Sequence, residues 1–166
     1  LNILIVEGTS LSTIDFIGLS SLLELTITQN QSLFNINFTG LSNLNKLSIA
    51  RFPSTTLNLT PLTNLNTLFC EVNDSLTNLI LTGLSNLVSI DVNRNSFLST
   101  LDVSNLPNLQ TLKCDKNYLD TLIFNNTPSL TKLNCKENRL ITLDFSNPTS
   151  LTDIDCSDND LTSILL

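Results

Sequence analysis

Histidine, tryptophan and methionine are absent from this 166-residue chain, and aromatic residues make up only 5 % of it. Each absence excludes something. Without histidine, Cys–His and Ser–His–Asp nucleophiles cannot be assembled. Few rings leave little of the aromatic platform on which sugar-cleaving enzymes hold substrate. Lys and Arg number 8 against 15 Asp and Glu, for a net charge of −7. Nucleic-acid binding, which needs cations to neutralise phosphates, is therefore not expected. No apolar run approaches the roughly 20 residues that span a bilayer, so no membrane insertion is expected. No leader pattern or initiator methionine stands at the start.

What is present is narrow. Hydrophobic residues make up 41 % of the chain, mostly Leu and Ile, and the polar residues are mostly Asn, Ser and Thr. Such restricted usage marks a repeat. Aligned on Cys135, the equivalent positions are Ile5, Ile27, Ile49, Cys70, Val92, Cys114, Cys135 and Cys156, always 21 or 22 residues apart. Two residues earlier stand Ile3, Leu25, Leu47, Leu68, Ile90, Leu112, Leu133 and Ile154. Three residues later stand Gly8, Asn30, Phe52, Asn73, Asn95, Asn117, Asn138 and Asn159.

Half a repeat on, a second L-x-L piece recurs, as in Leu57/Leu59, Leu101/Val103 and Ile164/Leu166. Alternate residues of a strand share a face, so both members of each piece are expected to point inward. Neither half offers the ten or more residues of 3.6-residue periodicity that a helix needs. The connections, such as SNPTS at 146–150 and TGLSN at 39–43, are rich in turn formers.

One such turn cannot bury its own apolar face, whereas stacked turns bury a continuous core. The expected architecture is all-β: a solenoid of about eight turns over residues 1–166, with two parallel sheets and little or no α-helix. At about 4.8 Å per strand the stack spans roughly 35–40 Å. Asn30, Asn73, Asn95, Asn117, Asn138 and Asn159 are expected to form a ladder, their side chains bonding backbone groups that tight turns leave unpaired. The chain starts in the repeat register and ends within a half-repeat, so it is read as a piece of a longer protein.

The pattern L-x-x-L-x-L/C-x-x-N-x-L resembles the leucine-rich repeat. The repeat length, the L-D-F and C-x-x-N-x-L elements and the nested half-period are similar to a bacterial subclass common in secreted and cell-surface proteins of Bacteroidetes. The resemblance covers the whole chain and implies an extracellular or cell-surface setting. It departs at Gly8, at Phe52 and Ser54, and where the Leu at 19, 41, 62, 84 and 106 gives way to Thr127 and Pro148.

The four cysteines occupy a position otherwise held by Ile or Val, and free cysteine behaves as a small hydrophobe. They are read as buried, reduced core thiols. Zinc would need four converging ligands. A disulfide between neighbouring in-register strands is strained, and the turn carrying Val92 separates Cys70 from Cys114. No cofactor and no metal site is expected. The acidic cluster Asp153, Asp155, Asp158 and Asp160 offers at most a weak calcium site, without an EF-hand pattern.

Function is expected on the outward positions of the first strand of each turn, which vary on an invariant frame. The candidate binding residues are Phe69, Asp91, Arg94, Lys113, Asn134, Lys136 and Asp155. An exposed aromatic beside a cation is a typical interface anchor; the alternative is a solvated face with weak ion pairs. Asp153 and Asp155 share a face, but no walled cleft surrounds them, so no enzyme is expected. Two readings follow: a non-catalytic protein- or glycan-binding adhesion module, or a structural spacer that self-associates end to end. Asp74-Ser75-Leu76 and Asp120-Thr121-Leu122 resemble an O-glycan acceptor motif of Bacteroidetes surface proteins. Ser75 is expected to be the more accessible of the two.

Overall fold

The computed structural model describes residues 1–146 and 150–165. Pro148 and Leu166, to which the repeat assigns positions, lie outside the described residues. The first strand of each turn is β1 (Ile3–Glu7), β2 (Glu24–Thr28), β3 (Lys46–Ala50), β5 (Thr67–Glu71), β7 (Ser89–Asp91), β9 (Thr111–Lys113), β11 (Lys132–Asn134) and β13 (Asp153–Asp155). Together they form one eight-stranded parallel sheet in that order. The intervening strands are β4 (Thr56–Asn58), β6 (Asn78–Ile80), β8 (Thr100–Asp102), β10 (Thr121–Ile123), β12 (Thr142–Asp144) and β14 (Ser163–Leu165). No helix occurs among the described residues. The architecture is an all-β parallel solenoid of about eight turns.

The second side is less regular than the spacing predicts. Its strands pair as three separate two-stranded ladders, β4–β6, β8–β10 and β12–β14. An unbroken ladder on one side and gaps on the other mean that the turns fan open away from the long sheet. A bent stack cannot hold both sides at the pairing distance of about 4.8 Å at every turn. The long sheet therefore lies on the concave side.

The core follows the alternation. Leu25 and Ile27, Leu47 and Ile49, Leu68 and Cys70, Ile90 and Val92, and Leu112 and Cys114 all point inward and are buried. From the second side Leu57, Leu59, Leu101 and Val103 meet them. Each buried Leu or Ile contributes about 1.5–3 kcal/mol relative to exposure. Phe16 stacks on Phe38 with ring centroids 6.3 Å apart.

Turn one corrects the sequence alignment by one residue. Leu4 pairs with Leu25 and Val6 with Ile27, so Leu4 and Val6 are the inward pair. Ile3 and Ile5 face outward and are 56 % and 64 % exposed. Gly8 is accordingly not at the Asn position; Thr9 is, and its backbone N–H donates to Asn30 Oδ1 at 3.2 Å. Gly8 takes the place before it, where every turn adopts a left-handed conformation: Gly8, Gln29, Arg51, Val72, Arg94, Lys116, Glu137 and Asp158 have φ between 53° and 61°. There the chain leaves the strand. The N–H of Arg51 donates to Val72 O at 3.1 Å, and that of Arg94 to Asp115 O at 3.1 Å.

The asparagines sit just beyond. Asn95 Nδ2 donates to Cys70 O at 3.0 Å and to Val92 O at 2.6 Å. Asn138 Nδ2 donates to Cys114 O at 2.9 Å and Cys135 O at 3.0 Å. Asn159 Nδ2 donates to Cys135 O at 3.0 Å. Each amide thus bonds its own turn or the turn before. Phe52 breaks the series: it is buried, and its N–H donates to Asn73 Oδ1 at 2.9 Å. All four cysteines are free; Cys70, Cys114 and Cys135 are buried, while Cys156, in the last turn, is only half-buried. The expectation of four buried thiols therefore holds for three.

Candidate functional site on the concave sheet

Strand register places the outward residues in straight rows. Phe69 stands opposite Asp91, Asp91 opposite Lys113, Lys113 opposite Asn134, and Asn134 opposite Asp155. Five of the seven candidate residues therefore share one central row. Lys136 lies one step beyond Asp155's row, and Arg94 does not join either. It occupies the left-handed turn after β7, exposed, at the lip of the sheet.

The row has two characters. Around Phe69 it is apolar and hollow. A pocket of about 400 Å³ is lined by Ser48, Ile49, Ala50, Phe69, Glu71 and Val72, among others. The Phe69 ring is half-buried, and the Lys46 ammonium lies 6.0 Å from its centroid. Lys46 is itself held by Glu24 at 3.4 Å. Lys46 and Glu71 were not singled out from sequence. The signal was available, since both stand in the outward rows that flank Phe69.

Beyond Phe69 the row becomes charged. Asp91 is 8 % exposed, and Lys113 Nζ lies 3.7 Å from its Oδ2. Asp91 Oδ1 and Asn93 Oδ1 are buried and lack a well-formed hydrogen bond, although the backbone N–H of Asn93 lies near enough to the Asp91 carboxyl to favour its charged form. Burial pushes the Asp91 carboxyl above its ordinary value, and Lys113 pulls it partly back. The Glu71 carboxyl is also raised, first by burial and then by the negative charge of Asp91. A buried carboxylate that is only partly compensated costs stability, and groups displaced in this way cluster at functional sites.

Towards the end of the stack the residues satisfy one another. Asn134 Nδ2 donates to Asp115 Oδ1 at 3.1 Å. Lys136 pairs with Asp158 at 3.4 Å. Asp155 accepts the Ser157 hydroxyl at 2.6 Å, which holds its carboxyl below the ordinary range. No group of three or more His, Cys, Asp and Glu able to hold a metal occurs among the described residues. At the two acceptor-like motifs the order of access is reversed: Thr121 is exposed, donating to Asp120 Oδ1 at 2.8 Å, whereas Ser75 is half-buried.

Neither a protein-family model nor a curated protein sequence matches the chain. Among solved structures it is similar to the functional domain of InlJ from Listeria monocytogenes, described as including a cysteine ladder. That match has a TM-score of 0.69 and 28 % identity over 98 % of this chain. This chain spans 40 % of that one's length. The internalin InlF of the same species aligns over 99 % of this chain and 80 % of its own, at 17 % identity and a TM-score of 0.28. The fold is that of an internalin-like leucine-rich-repeat solenoid. Cys114, Cys135 and Cys156, on three successive turns, place a column of thiols in this chain too.

Proposed function

We propose that the chain is a non-catalytic recognition module of a secreted or cell-surface protein, and that its concave sheet receives a protein partner. The observation that carries this is the pairing of Phe69 with Asp91 across neighbouring strands. A half-buried ring beside a hollow adjoins a buried carboxylate whose Oδ1 has no well-formed hydrogen bond from its own chain. Neither is needed to hold the solenoid, whose core lies on the other face of the same strands. Interface energy concentrates on such aromatic anchors and on the charges beside them. The likeness to the internalin domain over nearly the whole chain supports a binding role, and the extracellular setting rests on the repeat's resemblance. Asp91, Lys113 and the lip residue Arg94 are the charged part of the site, and Asn134, Lys136 and Asp155 its polar margin.

The test compares Phe69→Ala/Lys113→Ala with an end-turn variant, Leu161→Asp. Binding is scored on an array of extracellular proteins, and self-association by sedimentation. The concave pair should lose partner binding while keeping its fold, with melting lowered no further than in Lys113→Ala alone, which leaves Asp91 without its cation. If it binds normally and Leu161→Asp alone abolishes assembly, the chain is a structural spacer and the recognition reading is rejected.

A further inference from the structure

We propose that a second site, separate from the concave face, binds an extended, uncharged β-1,4-linked glycan in the amide-lined groove where the chain enters the long sheet. The groove has a volume of about 730 Å³. One wall carries Asn43, Asn64, Asn86 and Asn108; the other carries Asn45, Asn66 and Gln110. No ionisable side chain lines it, although the chain as a whole has a net charge of −7. The two walls flank the buried residues Leu44, Leu65, Leu87 and Leu109 in the segments that lead into the strands, and both rows face outward.

The first wall is rigid. Asn43, Asn64, Asn86 and Asn108 donate Nδ2 to Ser20 O, Ser42 O, Thr63 O and Ser85 O at 2.9, 2.8, 3.0 and 3.0 Å. Each bond reaches back one turn and fixes the amide plane. The remaining N–H and the Oδ1 are left at the surface, except that Asn86 Nδ2 also donates to Asn64 Oδ1 at 3.4 Å. This tie to the previous turn accounts for one wall as a turn-stabilising device. It accounts less for the other: Asn66 Nδ2 reaches only forward, to Asn86 O at 3.5 Å, and the Asn45 and Gln110 side chains make no such bond.

Paired amides, each both donor and acceptor, match ligands whose groups also donate and accept. Sugar hydroxyls do so, whereas phosphates and carboxylates would require cations the groove lacks. Leu23 and Val88 in the second wall offer aliphatic contact for the C–H face of a sugar ring. The amides recur at the strand spacing of about 4.8 Å over four turns, roughly 15 Å. A β-1,4-linked chain extends as a ribbon and can follow that line, while an α-1,4-linked chain coils away from it. Pre-oriented amides reduce the ordering cost of binding. The array ends where the next turn carries Thr131, whose hydroxyl donates to Gln110 O at 3.1 Å. This inference does not depend on the concave-face reading.

The probe is cellohexaose, with maltohexaose as the coiled counterpart, titrated into the ¹⁵N-labelled chain. Cellohexaose should produce saturable shifts in the side-chain amides of the groove. Asn66→Ala/Gln110→Ala should weaken it about tenfold with unchanged melting, and Phe69→Ala/Lys113→Ala should not alter it. If the double variant melts lower, Asn45→Ser replaces it. The proposal is overturned by no saturable shift, by shifts confined to the concave sheet, by an equal response to maltohexaose, or by undiminished binding to the groove variants.

Discussion

Asn95 and Asn117 hold each other in place across two turns: the N–H of Asn95 donates to Asn117 Oδ1 at 2.7 Å, and Asn117 Nδ2 donates to Val92 O at 3.0 Å. One side chain thus serves as acceptor and donor to the turn before its own. Asn117 is 3 % exposed, so removing its amide leaves buried groups unpaired. Asn117→Ala should lower stability by about 1–3 kcal/mol. Urea unfolding at the wild-type midpoint would show that the ladder contributes nothing.

Val72 is a β-branched residue held at φ 57°. A left-handed backbone costs an L-residue roughly 1–2 kcal/mol, and glycine avoids this at some cost in chain entropy. Val72→Gly should raise stability by up to about 1 kcal/mol. A lower melting temperature would mean that the contacts Val72 makes at the edge of the Phe69 hollow outweigh its strain.

The buried thiols make the fold sensitive to alkali. Burial pushes Cys70 and Cys135 from the ordinary 9.0 to about 12, and Cys114 well above 9.0. The folded state holds these protons more tightly than the unfolded chain does. Their contribution is complete below pH 9 and disappears as pH rises towards 12. The melting temperature should fall over that range, and less steeply in Cys114→Val. In the native protein at neutral pH, Cys156 should react with a thiol reagent while the other three are protected; four groups should react after denaturation.

Asp91 acts in the opposite sense to a stabilising carboxylate. Its raised pKa means that its stabilising contribution is present in acid, below the ordinary 3.8, and is lost as pH rises through the folded value. Asp91→Asn should therefore match or exceed wild-type stability at neutral pH, by up to about 1 kcal/mol, while weakening the partner proposed for the concave sheet. A clear loss of stability would show that the Lys113 contact outweighs burial.

The register of the first strand is tested by two charges. Val6→Asp buries a carboxylate and should destabilise the first turns by several kcal/mol. Ile5→Asp places it outside and should be tolerated. The reverse outcome would restore the sequence alignment.

The turn length, the number of turns and the inward positions from Leu25 onwards were legible because burial leaves its period in the sequence. The left-handed row was not, since Gln29, Arg51, Val72, Arg94 and Lys116 share no chemistry; a backbone requirement there leaves no residue signature. Nor was the burial of Phe52 legible, since a residue at that turn can pack inward or stand out as a contact. A turn phenylalanine is compatible with both, and it is the neighbouring Asn73 that holds its backbone in place.

What the sequence alone determined was a parallel β-solenoid with a leucine and thiol core, because alternating apolar residues at a constant spacing have no other way to leave water. The tertiary structure decided the rest. In Ile3-Leu4-Ile5-Val6 four apolar residues run together, so the alternation has no phase until Leu25 and Ile27 supply a partner strand, and a slip of one residue exchanges the faces. The bend of the stack split the second side into separate ladders. Which outward residues meet, Phe69 with Asp91 or the two rows of amides across their groove, depended on strand register and on how the turns pack. Those relations exist between turns and are not written within any one of them.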